Sequence, residues 1–378
     1  LQPHRLSNRL YLQKFFKVMS IQAFVFPKPK ENLTKGKVSW ESPSNIALVK
    51  YWGKYGEQLP KNPSVSFTLN NCKTTTTLEY HPIPPTEDFS FEVFLAGEKA
   101  PSFEPKIKKF LERIEVYLPF LKDYHFSIKT SNSFPHSSGI ASSASGMSAL
   151  ACCLMSLEQQ FNPEISSAYF KKKASFLARL GSGSAARSIE GGLVVWGEHP
   201  KIEDSSNLYG TSYPFEINEV FKTYQDTILL VDKGEKTVSS TVGHNLMHDH
   251  PYAEARFQQA FQNLKKLQPV FESGDLNTFI NIVESEALTL HAMMMSSNPY
   301  FILMKPNTLE IINKIWNYRQ DTNSKLCFTL DAGANVHLLY PEVEKTEVLD
   351  FIKNQLVAHC QNAQYICDNV GTGAKQLA

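Results

Sequence analysis

The 378-residue sequence lacks several features that would place it in a large class of proteins. It has no apolar run near the ~18 residues that a membrane span requires. Its 38 Lys and Arg residues are balanced by 37 Asp and Glu residues, which gives a net charge of +1. The sequence therefore has no excess charge of one sign that would predict binding to nucleic acid or to a membrane surface. This balance still permits a small anionic ligand, which needs only a few local cations.

Cysteine is scarce. The six cysteines form no CxxC pair and lie at no His-spaced positions typical of metal sites. Cys152 and Cys153 are adjacent within an apolar helical stretch, which predicts buried, reduced thiols. A reducing cytoplasm is therefore the expected compartment. The 42% hydrophobic content is enough for one large domain or two fused domains with a sizeable core.

Small residues are concentrated at positions 132–146, NSFPHSSGIASSASG, directly before the helical stretch MSALACCLMSLEQQF. Small side chains let a backbone approach a ligand closely, and a helix start offers free N–H groups and a positive dipole end. Serine hydroxyls add donors around a phosphate chain. The pattern favours a phosphate-binding loop over the alternative, a serine-rich surface turn before a core helix. The loop contains no lysine, so backbone and hydroxyl donors must carry more of the binding than in a Walker loop.

A second Gly/Ser-rich segment, GSGSAARS, occupies positions 181–188 between two predicted elements. Arg187 lies one helical turn after Ser184 and has the fork geometry that binds phosphate through two hydrogen bonds. The alternative is a flexible connection with one exposed arginine. Two such segments in one chain weaken that alternative and suggest two phosphorylated ligands.

Two further segments place charged side chains at the ends of predicted strands. In NIALVKYWGK, Lys50 and Lys54 flank an aromatic pair, and both would face an anion if the strand ends at a cleft; solvated lysines are the alternative. In TLDAGANVH, Asp331 leaves an apolar strand into a turn. A general base there needs a nearby cation, and local sequence alone favours an ordinary turn aspartate.

Other polar clusters carry weaker signals. Ser239 and Ser240 follow a strand in KTVSST, where helix capping is the better local interpretation. The histidines of VGHNLMHDH (244, 248 and 250) match no familiar metal site, so we interpret them as a polar loop or cap. Three acids, at positions 190, 284 and 286, are interpreted as surface or structural groups.

Strand-like and helix-like segments alternate without an internal repeat, and long amphipathic helices follow from about residue 250. This predicts an α+β protein with an N-terminal domain to about residue 200–230 and a C-terminal domain closing over it. The default ligand site is the cleft between the two. Residues 1–18 contain four basic residues and no acid. We interpret them as an N-terminal extension, disordered or introduced by cloning, rather than as a transit peptide.

Taken together, these segments resemble the GHMP kinase superfamily, and within it the diphosphomevalonate decarboxylases. The motifs SNIALVKYWGK, SGIASSASG, GSGSAARS, VSST, ESEALTLHA and LDAGANV occur in that family's order and span about residues 39–340. The combination of KYWGK, GSGSAxRS and DAGAN is specific to the decarboxylases. The loop departs from the family at Ile140, where leucine is usual, and at positions 136–138.

The resemblance implies a GHMP-kinase-like two-domain fold with a cleft between the domains. Residues 19–220 would form a ribosomal protein S5 domain 2-like, ATP-binding domain, and residues 221–378 a ferredoxin-like α/β domain. It also implies ATP-dependent decarboxylation of (R)-5-diphosphomevalonate to isopentenyl diphosphate, ADP, phosphate and CO₂, with Mg²⁺ as cofactor. The enzyme would phosphorylate the 3-hydroxyl first, and phosphate and CO₂ would then leave. A cytoplasmic homodimer that binds neither nucleic acid nor membrane is expected.

The resemblance also assigns roles to residues. Catalytic roles fall to Asp331, Lys50, Arg187 and Ser143. The substrate would be bound by Ala47, Lys50, Tyr51, Trp52, Lys54, Ser182, Gly183, Ser184, Arg187, Ser239 and Ser240. ATP would be bound by Pro135, Ser138, Gly139, Ile140, Ala141, Ser142, Ser143 and Ser145. Asp331 would orient or deprotonate the 3-hydroxyl, Lys50 would neutralise charge beside it, and Trp52 would fix its carboxylate by packing. No residue is assigned as a Mg²⁺ ligand.

Two other functions remain open from the sequence. A small-molecule kinase of the superfamily usually carries its catalytic Asp in the segment that corresponds to GSGSAARS, which has no acid here. This favours the decarboxylase, although a sister enzyme acting on a monophosphorylated or 3-phosphorylated mevalonate would share its motifs. A non-catalytic binding protein on the same fold is disfavoured because Lys50, Arg187 and Asp331 are all present.

Overall fold

The computed structural model describes residues 20–135, 140–232 and 240–377, except for the side chains of residues 240 and 241. The extension expected at residues 1–18 lies outside the described residues. The chain forms two larger sheets covered by helices, which confirms the α+β class. None of the helices in these ranges is both long enough and apolar enough to cross a bilayer.

The first sheet is built on two long neighbouring strands, β1 and β4. Its members are β1 (Gly36–Val49), β4 (Ser64–Pro82), β5 (Ser90–Leu95), β6 (Glu98–Lys99), β7 (Tyr124–Asn132), β8 (Leu193–Trp196), β9 (Gly210–Ser212) and β14 (Lys375–Gln376). A separate hairpin pairs β2 (Lys54–Tyr55) with β3 (Leu59–Pro60). The spatial order is β14-β1-β4-β7-β5-β6, and β8 pairs with the first part of β4. Buried and half-buried residues alternate from Cys72 to Tyr80, because the β-branched TTTT run turns every second side chain to the core.

Helices cover one face of this sheet and carry the first core. They are α1 (Glu104–Ile114), α2 (Ser142–Phe161) and α3 (Ser167–Gly181). The thiols of Cys152 and Cys153 are free and fully buried in α2, as the sequence predicted. Helix α1 was not predicted, although its buried residues (Ile107, Phe110, Leu111 and Ile114) have helical spacing.

The second sheet is antiparallel and follows the ferredoxin-like order expected from the family resemblance. Its strands β10 (Gln225–Leu229), β11 (Cys327–Thr329), β12 (Val336–Tyr340) and β13 (Tyr365–Asn369) lie in the order β11-β12-β10-β13. The helices of this half are α4 (Glu219–Lys222), α5 (Ser240–Asn245), α6 (Ala253–Ser273), α7 (Leu276–Met295), α8 (Pro306–Thr322) and α9 (Lys345–Phe351). Strands β11 and β12 pair as a hairpin, and Asp331 lies in the turn between them, as predicted for an aspartate that leaves an apolar strand.

The two halves share a core and a stretch of backbone. Ile46 and Phe67 of the first sheet belong to one apolar cluster with Leu264 of α6 and Phe279 of α7. The segment 370–377, which we call the return segment, then crosses back over the first half and ends in β14 beside β1.

The end of β1, helix α7 and the β11–β12 turn meet at one place. The domain boundary near residue 220 stays a prediction.

The return segment depends on two glycines that lie against backbone. A Cβ on Gly371 would come within 2.6 Å of the Asn70 backbone, and one on Gly373 within 2.3 Å of the Ile189 carbonyl oxygen. Hydrogen bonds from Gly371 N to Thr68 O (2.8 Å) and from Ala374 N to Ile189 O (2.9 Å) hold the segment in place. Ile189 directly follows the Gly/Ser-rich segment of Arg187, so the return segment supports that part of the cleft.

Candidate active site

A cavity opens where the end of β1, the segment 181–188 and the β11–β12 turn meet. Nine predicted substrate residues line it: Ala47, Lys50, Tyr51, Trp52, Lys54, Ser182, Gly183, Ser184 and Arg187. Ala141, Ser143 and Asp331 line the same cavity. Residues predicted from four distant segments therefore share one space, while the role of each remains a prediction.

Lys50 and Asp331 form an ion pair at the wall of this cavity. Lys50 Nζ lies 3.1 Å from Asp331 Oδ1, and the lysine side chain is 2% exposed against 29% for the aspartate. Burial lowers the pKa of Lys50, and the charge and hydrogen bond of Asp331 oppose that shift. The cation that Asp331 needs as a general base is therefore beside it, and the carboxylate is still reachable from the cavity.

A buried network from the second half of the chain holds the backbone of Lys50. The Glu286 carboxylate accepts the Lys50 N–H (2.8 Å), and Arg256 Nη2 donates to the Lys50 carbonyl (3.2 Å). Arg256 also donates to both Glu286 oxygens (3.0 and 2.6 Å), and Asn263 donates to one of them (2.7 Å). Glu286 is fully buried. Of the two interpretations from the sequence, a surface acid or a structural acid, the structural one therefore applies.

Replacing Glu286 with Gln should lower the free energy of unfolding by about 3 kcal/mol, because it leaves the buried Arg256 charge without its carboxylate. Urea denaturation measures the change. The matched control is Glu190→Gln, whose carboxylate pairs with Lys171 at the surface and should change stability by less than ~1 kcal/mol. Equal losses in the two variants would show that the buried network stabilises the fold no more than a surface ion pair does.

The turn of Asp331 is fixed through its backbone. His291 of α7 is 1% exposed, and its Nε2 lies 3.1 Å from the Asp331 carbonyl oxygen. Because a carbonyl only accepts, Nε2 carries the proton and donates. The packing of Trp52 on the Asp331 carboxylate stays a prediction. Trp52 belongs to an apolar cluster against which Ala332, the residue after Asp331, packs.

Two buried imidazoles make the fold sensitive to acid. Burial lowers the pKa of His291 to about 4, and the nearby charge of Lys50 lowers it in the same direction. Burial lowers the pKa of His244 to about 3, together with the charges of Lys54 and Arg187. The unfolded chain takes up these protons near pH 6.5. Stability is therefore complete above pH 6.5, and the free energy of unfolding falls by about 1.4 kcal/mol per pH unit for each histidine as the pH drops towards the folded values.

This pH dependence predicts a lower urea midpoint at pH 5 than at pH 7. The double variant His244→Gln/His291→Gln lacks both groups and should show a shallower pH slope than the parent protein. Identical slopes for the two proteins would contradict the assignment of the acid sensitivity to these histidines.

Arg187 lies in a 3-10 helix (Gly183–Ser188) and is 3% exposed. Its Nη1 donates to Ser64 Oγ (2.7 Å) and its Nε to Asn45 Oδ1 (3.4 Å). Burial lowers its pKa to about 10, which leaves the guanidinium charged at neutral pH. No carboxylate within the described part of the chain forms a salt bridge with it, so its charge is available to an anionic ligand.

The predicted phosphate loop leads into the N-terminus of α2. Ala141 has φ 46°, in the left-handed region, and no side chain caps the helix start among the residues described. Ser143 is exposed and Ser142 half-exposed, which suits hydroxyl and N–H donors for phosphate. Ser145 is buried, with its hydroxyl 2.6 Å from Thr74 Oγ1, so it does not reach this surface.

The remaining predicted ligand residues do not line this cavity or lie where the structure does not describe their side chains. Pro135 is exposed, and Ile140 is buried with its carbonyl accepting from Ser44 Oγ (2.5 Å). Ser138, Gly139 and Ser239 lie outside the described residues, and Ser240 begins α5 with its side chain undescribed. Their predicted contacts stay predictions.

Sequence reasoning missed several residues of the site. His244 was interpreted as part of a polar loop or cap, yet it is buried and lines the cavity. Asn45 belongs to a predicted motif but was given no role. Its side-chain amide donates hydrogen bonds to Ser188 Oγ (2.8 Å) and Ser184 O (3.2 Å). Gln58 and Leu290 also line the cavity. Asn45 and Leu290 lie within the motifs SNIALVKYWGK and ESEALTLHA, which gave a signal for their segments. The place of His244 and Gln58 in the cavity wall depends on tertiary contacts.

The donor set at this site fits a magnesium nucleotide. The described residues contain no cluster of three or more His, Cys, Asp or Glu side chains that could hold a metal. Mg²⁺ is commonly bound through phosphate oxygens, water and one or two protein oxygens. The hydroxyls of Ser142 and Ser143 at the start of α2 suit that arrangement.

Comparison with known proteins agrees with this geometry. Residues 42–207 match a family model described as the diphosphomevalonate decarboxylase-like N-terminal domain, and residues 227–376 match the mevalonate 5-diphosphate decarboxylase C-terminal domain. Diphosphomevalonate decarboxylase from Ganoderma lucidum is 30% identical over 334 residues, which cover 82% of this chain and 80% of the relative. The enzyme from Saccharomyces cerevisiae is 28% identical over 335 residues, or 85% and 82% of the two chains.

Solved structures give the same result. Mevalonate diphosphate decarboxylase from Staphylococcus aureus superposes with a TM-score of 0.78 at 26% identity and covers 91% of this chain and 99% of its own. The structure described as MDDEF in complex with MVAPP, AMPPCP and magnesium gives a TM-score of 0.77, also at 26% identity, over 91% and 99%. These similarities confirm the expected two-domain GHMP-kinase fold.

Proposed function

The chain belongs to the diphosphomevalonate decarboxylase family, and from that premise we propose which of its side chains perform the reaction. The reaction is the ATP-dependent decarboxylation of mevalonate 5-diphosphate to isopentenyl diphosphate, ADP, phosphate and CO₂. The cofactors are ATP and Mg²⁺. One observation carries the assignment of residues: the Lys50–Asp331 pair lies in the same cavity as Arg187 and the start of α2.

Asp331 orients the 3-hydroxyl of the substrate and accepts its proton as the oxygen attacks the γ-phosphate of ATP. The half-exposed carboxylate is available for this, and Lys50 keeps it ionised and fixed. Transfer of the phosphoryl group converts a poor leaving group into a good one. The C–O bond to phosphate then breaks, and the electron pair of the C–C bond to the carboxylate forms the double bond as CO₂ leaves.

The cationic and hydroxyl groups hold the two phosphorylated ligands in place. Arg187, Lys54, Ser182 and Ser184 bind the diphosphate of the substrate from one wall of the cavity. The start of α2, with Ser142 and Ser143, binds the nucleotide phosphates; Mg²⁺ supplies charge neutralisation there when bound. Most of the rate enhancement then comes from positioning and charge stabilisation, as in other phosphoryl transfers.

Product analysis across three substrates tests this function. The protein is supplied with ATP, Mg²⁺ and either mevalonate, its 5-phosphate or its 5-diphosphate, and ADP and CO₂ are both measured. We expect equimolar ADP and CO₂ with the 5-diphosphate alone. ADP without CO₂ would identify a kinase, activity confined to the 5-phosphate would identify a sister decarboxylase, and neither product would identify a binding protein.

We further propose that the protein is a cytoplasmic homodimer. Six unpaired cysteines, among them the buried Cys152 and Cys153, support a reducing compartment. The dimer is an expectation from the family resemblance. Sedimentation equilibrium of the purified chain measures the assembly state, and a single species of monomer mass at micromolar concentration would contradict it.

A further inference from the structure

His244 occupies a position in the cavity wall that none of the roles proposed above uses. Its ring is held between two aromatic side chains, with centroids 4.3 Å from Tyr51 and 4.7 Å from Trp52. It is 8% exposed, and it lines the cavity that contains Lys54 and Arg187. The ring is therefore immobilised beside the ligand space rather than part of a solvated loop.

The hydrogen bonding of the ring decides which nitrogen carries the proton. Nδ1 lies 3.0 Å from the backbone nitrogen of Gly53, whose N–H must donate, so Nδ1 is the acceptor. A neutral ring then carries its proton on Nε2. Burial and the charges of Lys54 and Arg187 lower the pKa of His244 to about 3, which keeps the ring neutral.

The Nε2–H group is available to a ligand. No hydrogen bond joins it to the described part of the chain, and Nε2 is not one of the fully buried polar atoms without a partner, so it is accessible from the cavity. Since the ring borders the cavity, Nε2 is its only nitrogen left to meet a bound molecule. A donor that borders the cavity in this way can bond to an acceptor of a ligand that enters it.

The charges around His244 indicate the kind of acceptor. Lys54 and Arg187 both act on the ring electrostatically, and the acid that lines the cavity, Asp331, is paired with Lys50. This part of the cavity is therefore positive, and its donors are cations, hydroxyls and one neutral imidazole. Such a set suits a group with several negative oxygens.

We propose that His244 is a recognition residue, and that its Nε2–H donates to the diphosphate of the substrate. This inference rests on the proposed function, because it assigns one more donor to the same substrate. A neutral donor adds selectivity for the diphosphate without placing a third cation beside Lys54 and Arg187.

Two variants of His244 separate the donor from the rest of the ring. His244→Asn retains an acceptor near Nδ1 for the Gly53 N–H but removes the donor, whereas His244→Gln places an amide N–H near Nε2. His248→Asn is the matched control, because His248 is exposed on the same stretch of chain. We expect His244→Asn to raise the KM for mevalonate 5-diphosphate by about 10- to 100-fold. His244→Gln should restore much of this loss, and His248→Asn should change nothing.

A probe that needs no turnover completes the test. Calorimetric binding of inorganic pyrophosphate should weaken by a similar factor in His244→Asn, while the KM for ATP and the melting temperature stay near those of the parent protein. Unchanged pyrophosphate affinity would overturn the proposal, as would an equal rise in both KM values. If the parent protein released no CO₂, the proposed function would fail, but pyrophosphate binding would still report on His244.

Discussion

Turnover should fall by about 10³-fold or more when Asp331 is replaced by Ala, while binding of mevalonate 5-diphosphate is nearly kept. A general base contributes mainly in the transition state, so its removal lowers kcat rather than raising KM. The structure adds a reason for retained binding: Asp331 pairs with Lys50, while the proposed diphosphate donors lie on other segments. Steady-state kinetics with coupled ADP detection measure both constants.

Asp232→Ala is the matched control for this prediction. Asp232 follows strand β10 of the same sheet, and its carboxylate pairs with Lys305 at 3.7 Å, where both side chains are 40% exposed or more. The control should retain turnover within about twofold, since surface pairs contribute little. Near-normal kcat in Asp331→Ala would exclude the proposed role of this acid.

Arg187→Gln should instead affect both binding and rate, with kcat/KM for the 5-diphosphate lower by about 10²- to 10³-fold. Removing one member of a buried, hydrogen-bonded charge pair typically costs 2–5 kcal/mol, and the guanidinium would form such a pair with the bound diphosphate. A glutamine retains polarity but loses the charge and the fork. Substrate titration followed by calorimetry, beside the kinetic assay, separates the two effects.

Arg187→Lys tests whether charge alone is sufficient. Lysine keeps the positive charge but cannot donate to Ser64 Oγ and Asn45 Oδ1 in the observed geometry, so we expect a partial recovery. If Arg187→Gln bound the 5-diphosphate as tightly as the parent protein, Arg187 would have no place in the substrate site.

The sequence predicted the local parts of this site better than the contacts between them. The helix after the serine-rich loop, the Gly/Ser-rich segment of Arg187 and the hairpin of Asp331 all have short-range signatures: helical spacing, small residues, and a turn between apolar strands. Each signature lies within about ten residues, so no tertiary information is needed to detect it.

The supports of the site gave no such signal. Glu286 and Arg256 meet the backbone of Lys50 across more than two hundred positions of sequence. Glu286 lies in the motif ESEALTLHA and Arg256 in no motif, but local sequence does not show that either is buried, and both belong to types that are usually exposed. His244 was likewise misjudged, because its burial depends on the rings of Tyr51 and Trp52 from the first half of the chain. The short strands β13 and β14 were missed because they are defined by distant partners.

The return segment has a consequence for biosynthesis. Its Lys375 lies opposite Glu41 in the pairing of β14 with β1, and the Ala374 N–H donates to the Ile189 carbonyl next to the Arg187 segment. These residues follow every other wall of the cleft in chain order. The edge of the first sheet beside β1 therefore stays unpaired, and the Arg187 segment unsupported, until residues 370–377 have been synthesised. Substrate capture should begin only after the return segment has left the exit tunnel of the ribosome.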